Sequence, residues 1–111
     1  MHEMSITQGI VDICLKNCLN RSVKAVILEI GLLSGVVPDA VEFCFEACSN
    51  GTLLEGSILE IRKTEGLGRC LTCSKEQPLL RIYDPCVSCG SFGMEILSGE
   101  EMRVVEIEIE D

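Results

Sequence analysis

The sequence predicts an α+β fold, in which a small three-stranded mixed sheet carries two helices on one face and an inserted zinc-ribbon-like subdomain interrupts the chain. Three observations predict this class. Helix-like and strand-like segments alternate over residues 5–62, two Cys-x-x-Cys motifs follow, and the last ten residues alternate between apolar and acidic side chains. One face of that terminal strand must be buried and the other solvated, as in a sheet covered on one side.

The first helix and the first strand are predicted within residues 5–31. Apolar side chains recur there at spacings of three and four, which is typical of one buried helical stripe: Ile6, Ile10, Ile13, Cys14 and Cys18. Ser5 and Gln8 have the spacing of a capping box, so the helix should begin near Ser5, with residues 1–4 as a short lead-in. The segment SVKAVILEIG, rich in β-branched residues and closed by Gly31, then predicts a strand.

A second helix and two further strands complete the predicted layer. In VVPDAVEFCFEACSNG, Pro38 suits the first helical position and Gly51 suits the exit. The buried stripe of this helix should be Val41, Cys44, Phe45 and Cys48. SILEIR predicts a short second strand, and MRVVEIEIED a third. In the third strand, Val105, Ile107 and Ile109 should face one way, and Glu106, Glu108 and Glu110 the other.

A long segment separates the second and third strands. Residues 62–95 contain no long hydrophobic run, and a loop of that length needs its own source of order. We therefore expect two domains. Residues 1–61 and 96–111 should form the helix–sheet layer, which includes the amino terminus, and residues 62–95 should form an inserted zinc-binding domain.

The inserted segment contains two Cys-x-x-Cys motifs separated by twelve residues: Cys70 and Cys73, then Cys86 and Cys89. Two residues between thiolates let both reach one ion from a single turn, and two such turns complete the tetrahedral S₄ shell of structural zinc. A redox dithiol and an iron–sulfur cluster are the alternatives. Four protein ligands leave no open position, so the zinc should be structural rather than catalytic.

Four more cysteines lie in the predicted helices, one turn apart in each: Cys14 and Cys18, then Cys44 and Cys48. Burial as small hydrophobic side chains is the favoured interpretation, because free cysteine is among the most buried residue types. A second metal site and a disulfide between the helices are the alternatives.

The first residues, MHE, contain the chain's one histidine. A terminal histidine is usually only solvated, but the α-amine of Met1 is partly deprotonated near neutral pH. That amine, the amide and imidazole nitrogens of His2 and the amide nitrogen of Glu3 can surround one cation in a plane. A square of nitrogen donors suits Ni(II) or Cu(II) better than zinc.

Charge and composition bear on the class of function. The net charge of −9 argues against a nucleic-acid partner. The inserted segment is nearly neutral and has only Tyr83 and Phe92 for stacking, so a zinc-ribbon module for nucleic acid or a protein complex is the alternative rather than the main hypothesis. No nucleophile–base pair or open metal position suggests an enzyme. With no export signal or membrane-spanning run evident, we expect a cytoplasmic protein without membrane partners.

Several features together resemble one family. The opening MHEMSI, the FCFE segment followed by LLEGS, the paired Cys-x-x-Cys motifs and the alternating final strand are similar to the hydrogenase nickel-incorporation proteins of the HypA/HybF family. The resemblance covers essentially the whole chain and keeps the order of its elements.

The resemblance implies a nickel metallochaperone for [NiFe]-hydrogenase maturation rather than an enzyme. It implies nickel at the N-terminus through Met1, His2 and Glu3, and structural zinc at Cys70, Cys73, Cys86 and Cys89. The implied partners are the maturation GTPase of the same pathway and the hydrogenase large-subunit precursor, and some members also serve urease. Cys14 and Cys18 depart from simpler members of the family.

Overall fold

The computed structural model describes residues 3–111 and contains two helices and two three-stranded sheets. Along the chain these are α1 (Glu3–Asn17), β1 (Val23–Gly31), α2 (Pro38–Ser49), β2 (Ile58–Thr64), β3 (Gly66–Cys70), β4 (Glu76–Leu79), β5 (Met94–Ser98) and β6 (Met102–Ile109). The first sheet has the order β2-β1-β6, and the second has the order β4-β3-β5. The predicted α+β class is confirmed.

The first sheet is mixed, as predicted. Strand β1 pairs in parallel with β2 and antiparallel with β6. A parallel pair needs a long crossover connection, and α2 lies within it. Both helices pack on the sheet, and the core between them contains side chains from α1, β1 and α2, together with Cys18 just after α1: Ile10, Val11, Cys14, Cys18, Val23, Val26, Leu28, Ile30, Val41, Phe45 and Cys48.

Helix α1 begins earlier than predicted and buries a slightly different face. Glu3 and Met4 are helical rather than part of a lead-in, and the predicted start at Ser5 is wrong. Glu3 lies in the first turn, where a carboxylate complements the positive end of the helix. Ile13 is exposed instead of buried, and Val11 takes its place in the core. Met1 and His2 lie outside the described residues.

The final strand departs from simple alternation at one residue. Ile27 of β1 pairs with Glu106, but the next residue, Leu28, pairs with Val104, so Val105 is left over as a β-bulge. The bulge turns Val105 outward and puts Val104 against the core, whereas Val105 was predicted to share a face with Ile107. Such an inserted residue reverses the facing of everything on one side of it.

The second sheet was not predicted as strands. It is antiparallel throughout and occupies the segment between β2 and β6, from Gly66 to Ser98. Its small core has Leu79, 2% exposed, packed over Gly68. An added Cβ atom at Gly68 would lie 2.5 Å from Cδ1 of Leu79, so a larger residue would require the leucine side chain to shift. So few apolar side chains give this sheet little stability of its own.

Candidate metal centre

The structure brings the four cysteines of the two Cys-x-x-Cys motifs together. Cys70 ends β3 and Cys73 lies in the turn that follows, while Cys86 and Cys89 lie between β4 and β5. The Sγ atoms of Cys70 and Cys89 are 3.7 Å apart, those of Cys73 and Cys86 are 3.6 Å apart, and all four lie within 4.8 Å of one another. Tetrahedral zinc with Zn–S bonds of about 2.3 Å separates its sulfur ligands by about 3.8 Å. The four thiols therefore fit zinc.

The two turns that carry the cysteines have the same backbone pattern. The first cysteine of each turn donates its backbone N–H to the carbonyl five residues later, at 2.9 Å in both Cys70–Lys75 and Cys86–Ser91. The backbone N–H of the residue four positions after that cysteine donates to the carbonyl of the cysteine at 2.9 Å. This donor residue has a positive φ in both turns, 65° for Ser74 and 75° for Gly90. Backbone N–H groups also point at sulfur, as in Thr72 to Cys70 at 3.4 Å. Such donors stabilise thiolates.

The surroundings shift the pKa values of the Cys89 and Cys73 thiols in opposite directions. Hydrogen bonds from Ser91 lower the pKa of Cys89 to about 6, so this sulfur is a thiolate at neutral pH. The backbone at Lys75 lowers the pKa of Cys73, but desolvation and the neighbouring thiols outweigh that effect and raise it to about 11. Zinc must displace the Cys73 proton, so zinc affinity should rise with pH.

Sequence reasoning missed one residue that holds the site together. Gln77 of β4 is buried, its Nε2 donates to the Pro85 carbonyl at 3.0 Å, and its Oε1 accepts from the Val87 N–H at 2.9 Å. Pro85 and Val87 flank Cys86, so one amide side chain fixes the second cysteine turn to the sheet. Gln77 lies between a glutamate and a proline, so no hydrophobic periodicity in the sequence marks it as buried.

We expect Gln77→Leu to loosen the centre. The leucine removes the hydrogen bonds to the Pro85 carbonyl and from the Val87 N–H, and a typical hydrogen bond contributes about 0.5–1.5 kcal/mol. Zinc transfer to a colorimetric chelator should accelerate relative to the parent chain. Gln8→Leu is the matched control, because Gln8 is exposed on α1 and donates a hydrogen bond to Asp12 of the same helix, far from the cysteine turns along the chain. Equal zinc release from both variants would show that Gln77 does not position the turn.

The helix cysteines do not join a metal centre of this kind. Cys14, Cys18 and Cys48 are buried, Cys44 is half-buried, and all four are free thiols. Among residues 3–111, the four-cysteine cluster is the one group of three or more histidine, cysteine or acidic side chains close enough to share an ion. Burial raises the pKa of Cys14 to about 11, with a further contribution from Cys18. Burial, the favoured interpretation, holds for Cys14, Cys18 and Cys48, whereas Cys44 is only half-buried.

The predicted nickel donors lie at the edge of what the structure describes. Glu3 opens α1 and is half-buried. Met1 and His2 fall outside the described residues, so the nickel ligand set stays a prediction.

The surface of the second sheet does not favour nucleic acid. Arg69, in the middle of this sheet, is held between the carboxylates of Glu76 and Glu95, both at 3.0 Å. The two carboxylates offset the positive charge of Arg69, which reduces its attraction for a phosphate backbone. Separately, none of the helices described here combines the length and apolar character needed to cross a membrane.

Comparison with known proteins gives one consistent result. A family model described as hydrogenase/urease nickel incorporation, metallochaperone, hypA matches residues 1–109. The hydrogenase maturation factor HypA of Geotalea uraniireducens (strain Rf4) is 60% identical over 110 residues, which cover 99% of this chain and 100% of that protein. The protein of the same name from Geobacter metallireducens is 59% identical with the same coverage.

Two solved structures share the fold. The solution structure of the Ni metallochaperone HypA from Helicobacter pylori superposes with a TM-score of 0.67 at 24% identity, and the alignment covers 98% of this chain and 97% of that chain. A second structure, described as the solution structure of HypA protein, superposes with a TM-score of 0.64 at 28% identity, covering 98% and 96%.

Proposed function

The chain belongs to the HypA family of hydrogenase/urease nickel-incorporation metallochaperones, and on that premise we propose that it binds Ni(II) at a free N-terminus and delivers it during maturation of [NiFe]-hydrogenase. The observation that carries this proposal is the extent of the family match, which begins at residue 1 and therefore includes the opening Met-His-Glu. Nickel is the cargo of the protein, and zinc is its structural metal.

The chemistry of the first three residues supports a transferable nickel site. The Met1 amine, the His2 amide and imidazole nitrogens and the Glu3 amide nitrogen form adjacent chelate rings in one plane, the geometry that Ni(II) favours. Each donor is released by one proton, so an acceptor can remove the ion stepwise from a chain end. Glu3 is the first residue of α1, so the proposed nickel chelate is next to the folded layer along the chain.

We assign zinc to Cys70, Cys73, Cys86 and Cys89, with a structural role. The sulfur separations near 3.7 Å support this assignment, and four thiolates leave no position for a substrate. Zinc would hold together the second sheet, which spans Gly66–Ser98 and has a core of few apolar residues. We propose that residues 62–95 form the zinc-binding domain, with residues 1–61 and 96–111 as the other domain.

The partners follow from the family role. Maturation of hydrogenase requires a protein that accepts the nickel, and we propose the large-subunit precursor as acceptor, with the pathway GTPase acting in delivery. Urease accessory proteins are a further acceptor class, in keeping with the family description. We place this exchange in the cytoplasm.

Delivery is testable by competition. The nickel-loaded chain is mixed with hydrogenase precursor and GTPase in the presence of a chelator that captures free Ni(II), and the nickel content of the re-isolated precursor is measured. We expect nickel to reach the precursor despite the chelator, because the ion passes directly between proteins. Free Ni(II) at the same concentration is the control. Equal, chelator-sensitive loading from both sources would contradict a delivery role.

A further inference from the structure

A second group of sulfur atoms lies where helix α2 packs on the first turn of α1. The Sγ atom of Cys48 is 3.3 Å from the Sδ atom of Met4 and 3.9 Å from the Met4 carbonyl oxygen. Cys44 lies one turn earlier on α2, and side chains four residues apart are neighbours on a helix surface. Two thiols and a thioether therefore share one small region, and none of them belongs to the four-cysteine cluster.

This region is open to solvent on one side. The Met4 side chain is 52% exposed, whereas Cys48 is 8% exposed and Cys44 is half-buried. A cation can therefore enter at the thioether and reach the thiols behind it. Asp12 of α1 adds a negative charge near Cys48, which favours a cation there. The other helical pair, Cys14 and Cys18, is completely buried and offers no such entrance.

The donor types select a soft ion. Thiolate and thioether ligands together favour Cu(I) over the harder divalent ions that prefer nitrogen and oxygen. Two sulfur ligands in a trigonal arrangement with bonds of about 2.3 Å lie about 4.0 Å apart, so the 3.3 Å contact must open by roughly 0.7 Å. Methionine has three rotatable side-chain bonds and an exposed end here, so Met4 can make that movement.

We propose that Met4, Cys44 and Cys48 form a binding site for a thiophilic monovalent cation, with Cu(I) as its representative. On binding, Cys44 and Cys48 each lose a thiol proton to solvent and coordinate as thiolates, while the Met4 thioether coordinates without a change of charge. No electron is transferred. The site uses different donors from those of the proposed nickel chelate, so it does not depend on the nickel assignment.

The test is an anaerobic titration of the full-length, zinc-loaded chain with Cu(I), in competition with a colorimetric Cu(I) chelator and with zinc measured in parallel. We expect about one Cu(I) per chain to bind tightly with zinc retained. Cys48→Ala and Met4→Leu should each weaken Cu(I) binding by at least roughly ten-fold. Cys14→Ala, the matched control in the other helical pair, should bind Cu(I) like the parent chain.

Two results would overturn the proposal. Cu(I) uptake that releases zinc and is unchanged in Cys48→Ala and Met4→Leu would place the ion in the four-cysteine cluster. Uptake lost only in His2→Gln would place it at the N-terminus. Met4→Leu settles the matter if Cys48→Ala does not fold, because Met4 is largely exposed and its replacement leaves the core intact.

Discussion

Replacing Cys73 with serine is expected to release zinc and to unfold the second sheet, while the helix–sheet layer stays folded. Zinc binding in small structural sites contributes about 10–16 kcal/mol of folding free energy. The sheet from Gly66 to Ser98 buries few large apolar side chains, and a unit of fewer than about 40 residues seldom folds without such a contribution. This is the largest effect that we expect of any single substitution.

Metal analysis and amide hydrogen exchange measure the two parts of this expectation. Zinc content should fall from about one per chain to near zero. Protection should be lost at Cys70 and Cys86, whose N–H groups hydrogen-bond within the cysteine turns, and kept at Val26 in the core of the first sheet. Cys14→Ser is the control, because it places a hydroxyl in the core of the helix–sheet layer and should retain zinc. A Cys73→Ser chain with normal zinc content and a protected second sheet would refute the S₄ assignment.

Replacing His2 with glutamine is expected to abolish tight nickel binding without affecting zinc. The substitution removes the imidazole donor and breaks one chelate ring, and glutamine offers no nitrogen that binds Ni(II) comparably. We expect the free energy of unfolding to change by less than about 0.5 kcal/mol. Calorimetric titration with Ni(II) and metal analysis of the same samples measure both properties.

The pH dependence gives this second prediction another observable. The amine and the imidazole have reference pKa values of about 7.7–8.0 and 6.5, and each must be unprotonated to bind. Nickel affinity of the parent chain should therefore fall as the pH is lowered from about 8 to about 6, a range that includes both pKa values. Ser5→Gln is the control for His2→Gln, because Ser5 is exposed on α1 and should leave nickel binding unchanged. Undiminished affinity in His2→Gln would move the nickel site elsewhere.

Local spacing predicted more of the molecule than did patterns that depend on distant partners. The Cys-x-x-Cys spacing restricts two thiols to one turn, so the four-sulfur group followed from the sequence. The strand GLGRC did not, because Gly66 and Gly68 are buried through close contact with other segments and add nothing apolar to the pattern. Val105 was assigned to the wrong face because a β-bulge depends on the pairing with β1, which alternation along one strand does not encode.

Two other results depend on tertiary contacts. Gln77 positions the Cys86 turn through hydrogen bonds to backbone atoms eight and ten residues away. Because the partners are backbone atoms, the residue types at those positions do not predict the contact. The proximity of Met4 to Cys48 joins residues 44 positions apart and depends on how the helices pack. The start of α1 was predicted at Ser5 from the capping-box spacing of Ser5 and Gln8, whereas Glu3 and Met4 are already helical.

The most direct test of the central claim is nickel affinity before and after a few residues are added in front of Met1. The extension converts the α-amine into a secondary amide, a much poorer donor, while His2 and every other side chain remain. We expect nickel affinity to fall by at least roughly ten-fold and the absorption of a planar nitrogen-coordinated Ni(II) complex to change, with zinc retained. An extended chain that binds nickel as tightly as the parent, with the same spectrum, would contradict a site built on the free N-terminus.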